Sequence, residues 1–205
     1  MEISRDRKSK GEITLPKLTW KPSTMLYPLP PVMVSCGTME KSNIITVAWT
    51  GTVNSEPPMT YVSVRPERHS YAMIKERGEF VINLTTERLV RAADLCGVRS
   101  GRDLQKFRFC RLTPVPASAV SAPLIAESPV NIECRVEQRL ALGSHDMFIA
   151  KVLAVDVDES LLDAKGVLHL ERAGLAAYVH GRYRALGREL GKFGFSVQKK
   201  QEAKR

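Results

Sequence analysis

Much that usually announces a function is missing from this 205-residue chain. No apolar stretch approaches the roughly 20 residues of a membrane-spanning helix. The opening residues, MEISRDRKSKGEITLPK, have no apolar centre of the secretory-signal kind. A soluble, cytoplasmic protein without membrane contact is expected. The four cysteines, Cys36, Cys96, Cys110 and Cys134, form no CxxC pair and stand at no zinc-like spacing from a histidine. Reduced, mostly buried thiols and no metal site are expected. Neither a GxGxxG nor a Walker pattern occurs, which disfavours ATPases and dinucleotide-fold dehydrogenases. There are no internal repeats and no Ser-His-Asp or paired-carboxylate constellation.

What is present suits one sizeable domain with its own core, since 43% of residues are hydrophobic. The formal net charge is +9, from 31 Lys and Arg against 22 Asp and Glu. Part of the excess sits at the ends, in RDRKSKGE and KFGFSVQKKQEAKR. Residues 1–24 read as a polar arm, 25–197 as the domain and 198–205 as a basic tail. No zinc-finger or RNA-binding signature accompanies the charge, so nucleic acid is not an expected partner. Basic charge equally attracts phosphorylated small molecules.

The proline-punctuated YPLPPVMVSCGT leads into a first strand, Val32 to Cys36, and alternation with β-branched content predicts strands at 43–51 (NIITVAWTG) and at 59–66 (MTYVSVRP). SEPP is the turn between the last two. SYAMIKERG (70–78) reads as a helix capped by Ser70 and stopped by Gly78. EFVINL follows as a strand, ERLVRAADLC as a helix capped by Thr85 or Thr86 and ended by Gly97, and GRDLQKF as a short helix after Ser100. NIECRVEQRL alternates, with Ile132, Cys134 and Val136 on one face and Glu133, Arg135 and Glu137 on the other. MFIAKVLAVDVDE predicts a more deeply buried strand, and the glycine-punctuated end a short helix. The fold class is therefore mainly β, an antiparallel barrel with helical insertions.

Two stretches carry chemistry. In ITVAWT, Thr46, Ala48 and Thr50 share a face of low height that bears hydroxyls, whereas Ile45, Val47 and Trp49 share the other. A planar ring hydrogen-bonded at its edge would suit the first face, and so would a packed helix. In YVSVRPERHS, Ser63 and Arg65 lead to His69 and Ser70 at a helix start, where free N–H groups favour an anion. A forked arginine contact would reinforce it. The alternative there is a surface pair of Arg65 with Glu67 or Glu76 and an ordinary serine cap.

NIITVAWTGTVNSEPPMTYVSVRPERHSYAMIKERGEFVINL, then LCGVRSGRDLQKF and GSHDMFIAKVLAVDVDESLL, together resemble the flavin reductase-like family of FMN-binding split barrels, flavoredoxins included. The resemblance runs from about Tyr27 to Val197. It implies a Greek-key split barrel, a homodimer and non-covalent FMN. It puts the ring-contacting strand on Thr46, Ala48, Trp49 and Thr50, and the phosphate segment on Ser63, Arg65, His69 and Ser70. The loop beside the cofactor falls on the block from Cys96 to Phe107, with Ser100, Gly101 and Lys106 as candidates beside Cys96. His145, in GSHDMF, matches a histidine near the flavin and its nicotinamide partner, and is the catalytic candidate. His180 and Tyr183 match more loosely.

The resemblance implies hydride transfer from NADH or NADPH to FMN, and electrons passed on to free flavin, ferric complexes or a protein acceptor. No general acid or base is needed for that transfer. Positive charge near the ring, from Lys106 or Arg102, would stabilise an anionic reduced flavin. Two other readings stay open: an electron carrier reduced by a partner protein without nicotinamide, and a basic binding module without enzymatic activity. The residues do not choose between NADH and NADPH.

Overall fold

In the computed structural model, which describes residues 17–197, residues 17–26 are exposed and precede β1 (Val32–Gly37). Three strands follow: β2 (Ser42–Val47), β3 (Thr50–Asn54) and β4 (Met59–Val64). Helix α1 (His69–Arg77) leads into β5 (Glu79–Leu84). A 3-10 turn at Glu87–Leu89 then opens α2 (Val90–Val98), and α3 (Lys106–Cys110) comes next. Two-residue strands β6 (Pro114–Val115) and β7 (Leu124–Ile125) precede the long pair β8 (Val130–Ala141) and β9 (Asp146–Val157). A hairpin of β10 (Ala176–Val179) and β11 (Arg182–Ala185) closes the described order of strands.

Seven strands make one antiparallel sheet in the order β2-β1-β5-β8-β9-β4-β3. Its two outermost strands, β2 and β3, are separated in sequence by Ala48 and Trp49 alone. Edges joined through two residues cannot lie at opposite ends of a flat sheet, so the sheet must curl. The Ser63 amide fastens the corner by donating to the Trp49 carbonyl at 2.9 Å. The antiparallel, mainly β expectation holds, and the curl makes it a half-barrel.

Val32, Val34, Ile45, Val47, Val62, Phe80 and Phe148 fill the inside, with Ile74 of α1 packed against them. The opposite face of β1 and β2 is buried too, because Met33 and Ile44 pack with Ala93, Cys96 and Phe107 of α2 and α3. That double burial explains the nearly unbroken apolar reading of β1. Gly78 ends α1 at φ 67°, in the left-handed region, with its amide donating to the Ile74 carbonyl at 2.8 Å.

Several expectations need correction. Residues 43–51 are two strands, because the chain bends at Ala48 and Trp49 to turn the barrel corner. The N-cap of α1 is Arg68, without a side-chain cap, and Ser70 lies buried within the first turn. The second helix runs through Gly97 to Val98, and no Thr85 or Thr86 side chain caps it. The third helix starts only at Lys106, capped by the Gln105 side chain, which accepts from the Arg108 amide. The polar face of β8 is partly covered: Glu133 is fully buried and accepts hydrogen bonds from the Ser118, Ala119 and Val120 amides. Strand β9 is buried only on alternate residues of its first half, and Val155 is exposed. The glycine-punctuated end does include a short helix, the 3-10 turn Phe195–Val197, but it first forms a hairpin: His180 and Gly181 both take positive φ, as a two-residue turn of the primed kind requires. The 198–205 tail and most of the arm lie outside the described residues.

Candidate functional site

Two cavities, about 540 and 420 Å³, share Ile45, Arg65 and Arg68 as a common wall. The larger is basic. Arg65 and Arg68 reach it from the connection between β4 and α1, Arg99 and Arg102 from the loop after α2, and Lys106 from the start of α3. The N-terminal turn of α1, with His69 and Ser70, forms another part of the wall. The single acid there, Glu67, is exposed and stands 3.8 Å from Arg65 Nη1. Such a concentration of one sign of charge beside an uncapped helix start is an anion site in the making.

The charges register on their neighbours. Burial, then Arg102, Lys106 and Lys41, hold the His69 pKa below its ordinary 6.5, so the imidazole is neutral at pH 7. Lys106 is 4% exposed, against the ordinary habit of lysine, and burial lowers its pKa. Its Nζ donates to the Ile44 carbonyl at 2.7 Å and the Cys96 carbonyl at 2.8 Å, which uses two of its three N–H groups. The lysine thus ties β2, α2 and α3 together at the cavity wall. Ser70 has a similar task, its hydroxyl accepting from Asn43 Nδ2 at 2.8 Å. Gly101 lies against that same Asn43: a Cβ there would stand 2.2 Å from Asn43 Oδ1.

The smaller cavity, called flat for the planar Trp49 ring in its lining, is far less charged: its ionised groups are Arg65 and Arg68 of the shared wall and Asp94. Ala48 and Trp49 line it from the barrel corner, with Thr46 of β2 and Ser63 of β4. Trp49 stacks on His145 with ring centroids 6.5 Å apart and 19° between planes. His145 Nδ1 is 2.9 Å from Ser144 Oγ, which leaves Nε2 as the nitrogen available to a ligand. Burial and the nearby Arg65 lower its pKa, so this histidine too is neutral at pH 7. Behind it, Asp146 accepts from the Tyr71 hydroxyl at 2.6 Å and pairs with Arg139, fastening the start of β9 to α1 and β8.

The structure gathers twelve of the thirteen sequence-stated candidates into these two cavities. Thr50 is the exception. Beyond the Ala48–Trp49 bend its side chain is buried and donates to the Tyr61 carbonyl at 2.5 Å. The alternation argument assumed one straight strand and lost its parity at the corner. Thr46 stays at the wall, but its hydroxyl is engaged with the Ala93 carbonyl of α2. Tyr183 lines the flat cavity, where burial and Asp94 push its pKa up to about 12. His180 does not line it and packs edge-on against Tyr27. Arg68 and Arg99 were missed, although both stand inside the quoted blocks RPERHS and CGVRSGR. Counting cations in those blocks would have found them.

The family model of the flavin reductase like domain matches residues 24–187. The chain belongs to that family. Among solved structures, flavoredoxin of Desulfovibrio vulgaris (Miyazaki F) superposes with a TM-score of 0.82 at 32% identity, over 89% of this chain and 100% of that one. An uncharacterised protein of Archaeoglobus fulgidus is 32% identical over 140 residues, 68% of this chain and 78% of the relative. The FMN reductase (NADH) RutF of Methylorubrum extorquens is 29% identical over 136 residues, 66% of this chain and 58% of the relative. Membership of the flavin reductase-like family fits the half-barrel, whose corner and helix start bound both cavities. Among the described residues, no helix is long and apolar enough to cross a membrane, and no cluster of three metal-ligating side chains occurs.

Proposed function

We propose that the chain binds FMN across the joined cavities and passes electrons from NADH or NADPH to free flavin, a ferric complex or a protein acceptor, as an oxidoreductase of the flavin reductase type. The observation that carries this reading is the shared wall of Ile45, Arg65 and Arg68, which puts a basic recess next to a flat one. A phosphate monoester bears about −1.5 to −2 charge at pH 7, and five cationic side chains line the recess that would receive it. The amides of His69 and Ser70 at the start of α1 add donors, and Gly101 keeps the wall thin where a Cβ would strike Asn43.

Bound FMN would supply the redox chemistry, a two-electron centre between the nicotinamide donor and the acceptor. The residues of this chain place and tune it. Trp49 and Ala48, which line the smaller cavity, would support the ring, and Ser63 would offer it a hydroxyl. Neutral His145 offers Nε2 without adding a charge beside the ring. Arg102 and Lys106 contribute positive potential that favours a reduced, anionic flavin. A homodimer belongs to the same reading. Apolar Val155 on β9 and Val53 on β3 stay exposed in the single chain. Light scattering of the eluting protein tests that point.

The likeness to flavoredoxin of Desulfovibrio vulgaris, over the whole of that chain, favours a second reading: an electron carrier reduced by a protein partner. One experiment separates the readings. Purified protein is saturated with FMN, and its visible spectrum is followed anaerobically on adding NADH or NADPH. Bleaching by a nicotinamide establishes the reductase and names its donor. Bleaching by dithionite alone excludes the nicotinamide reductase and points to the carrier. Absence of FMN binding at micromolar concentration overturns both.

A further inference from the structure

Cys96 and Cys110 are not adjacent in sequence, yet their sulfurs stand 4.0 Å apart where α2 packs on α3. Both are free thiols. The two sulfurs belong to different surroundings. Cys96 is buried and lines the basic cavity. Cys110 is half-buried and lines a separate outer cleft of about 580 Å³, between α2 and α3, that also holds Arg88, Arg91, Arg111 and the exposed Phe109. Closing the pair needs an approach of about 2 Å, to the 2.03–2.05 Å of a disulfide bond. The Cys96 carbonyl is also one of the two acceptors that hold Lys106 Nζ at the cavity wall. Movement of α3 toward α2 therefore reaches Lys106 directly.

We propose that Cys96 and Cys110 form a reversible dithiol–disulfide couple, entered from the outer cleft and coupled through Lys106 to the basic cavity. The oxidant is a small disulfide of the glutathione class. The Cys110 thiolate attacks one of its sulfurs, the S–S bond of the small disulfide breaks, and one thiol leaves. The Cys96 sulfur, as thiolate, then attacks Cys110 Sγ, the mixed disulfide breaks, and the second thiol leaves. Two protein thiols lose two electrons and two protons, and the small disulfide becomes two thiols. The order of attack follows from access, because Cys110 is reachable from the cleft and Cys96 is not. Burial pushes the Cys96 thiol up to about 12, which makes closure the slower step. The arginines of the cleft suit the carboxylates of such a tripeptide disulfide.

The couple itself does not depend on the FMN reading; its coupling to the cavity does. The full-length protein is incubated with oxidised glutathione, alkylated, digested and mapped by mass spectrometry. The expected result is a peptide cross-linked through Cys96 and Cys110 and reversed by dithiothreitol, with Cys36 and Cys134 alkylated after unfolding. Cys96→Ser should stop at one glutathione on Cys110, which identifies the entry residue. Four alkylated cysteines in the wild-type protein, or a mixed disulfide that never closes, overturns the couple. Oxidised wild-type protein should bind FMN about tenfold more weakly than reduced protein, the effect of displacing one charge-assisted contact. Cys110→Ser should be insensitive to the oxidant. A cross-link that leaves FMN affinity unchanged overturns the coupling. FMN binding to neither form counts against the proposed function and leaves the cross-link to be judged alone.

Discussion

The basic cavity and the flat cavity share a wall and almost nothing else. One gathers five cationic side chains around an uncapped helix start; the other is built from Trp49, Ala48, Thr46 and a neutral histidine. Charge organises the first, and its action reaches several ångströms and is screened by salt. Shape organises the second, through contact alone. The lesson is that recognition of a ligand with a charged end and a flat end can be divided between loops and strands. Arginines in the basic cavity stand on loops, where long side chains find their places after folding. The flat wall stands at a barrel corner, where the backbone itself fixes the geometry.

Removing the flat support should have the largest effect. Trp49→Ala takes away an aromatic packed on the barrel core, at a cost of about 3 kcal/mol in unfolding free energy. It should weaken FMN and phosphate-free riboflavin equally, measured by flavin fluorescence quenching. Unequal losses would break the division between the cavities. Arg99→Ala, which removes a cation that lines the basic cavity alone, should cost about 2 kcal/mol of FMN affinity, the worth of a hydrogen bond to a charged group. Riboflavin affinity should be unchanged, and a parallel loss for riboflavin would place the arginine on the ring. Gly101→Ala should cost about 1–2 kcal/mol of stability, because the new Cβ meets an Asn43 side chain already held by Ser70. It too should discriminate against the phosphate-bearing ligand.

The histidine of the basic cavity offers a subtler probe. In the free protein His69 should titrate below its ordinary 6.5, owing first to burial and then to Arg102, Lys106 and Lys41. Inorganic phosphate or FMN should raise that pKa by compensating the cations, as read by imidazole NMR. Because the folded pKa lies below the unfolded one, the unfolded chain binds the proton more readily. Stability is therefore lost as pH falls below about 6.5, and ligand should relieve the loss. The smallest effect belongs to Glu67→Gln. Its pair with Arg65 is 3.8 Å long and exposed on both sides, so unfolding should change by less than about 0.5 kcal/mol.

Strand by strand, legibility in the sequence followed burial. β1, β4 and β5 were readable because one or both faces sink into the core, and α1 because Gly78 ends it in a left-handed conformation. The third helix was misplaced by several residues: nothing local distinguishes the turn at 101–103 from a first helical turn. Alternation put Glu133 on the face opposite Cys134, but it cannot foresee the loop of amides that folds over that face. Lys106 was placed beside the cofactor as a source of positive charge, and nothing in the sequence foretold that its ammonium is held by the Ile44 and Cys96 carbonyls.

The sequence alone determined that the chain builds an antiparallel, mainly β domain, and that RPERHS and CGVRSGR each bring two arginines. Periodicity and residue chemistry are local, and local properties are written in order along the chain. Tertiary structure alone decided that these two blocks face one recess, that Thr50 turns away from it, and that Cys96 meets Cys110. Those facts rest on a barrel corner of two residues and on helices packed from distant segments. Their cause is closure of the sheet, which is a property of the whole chain.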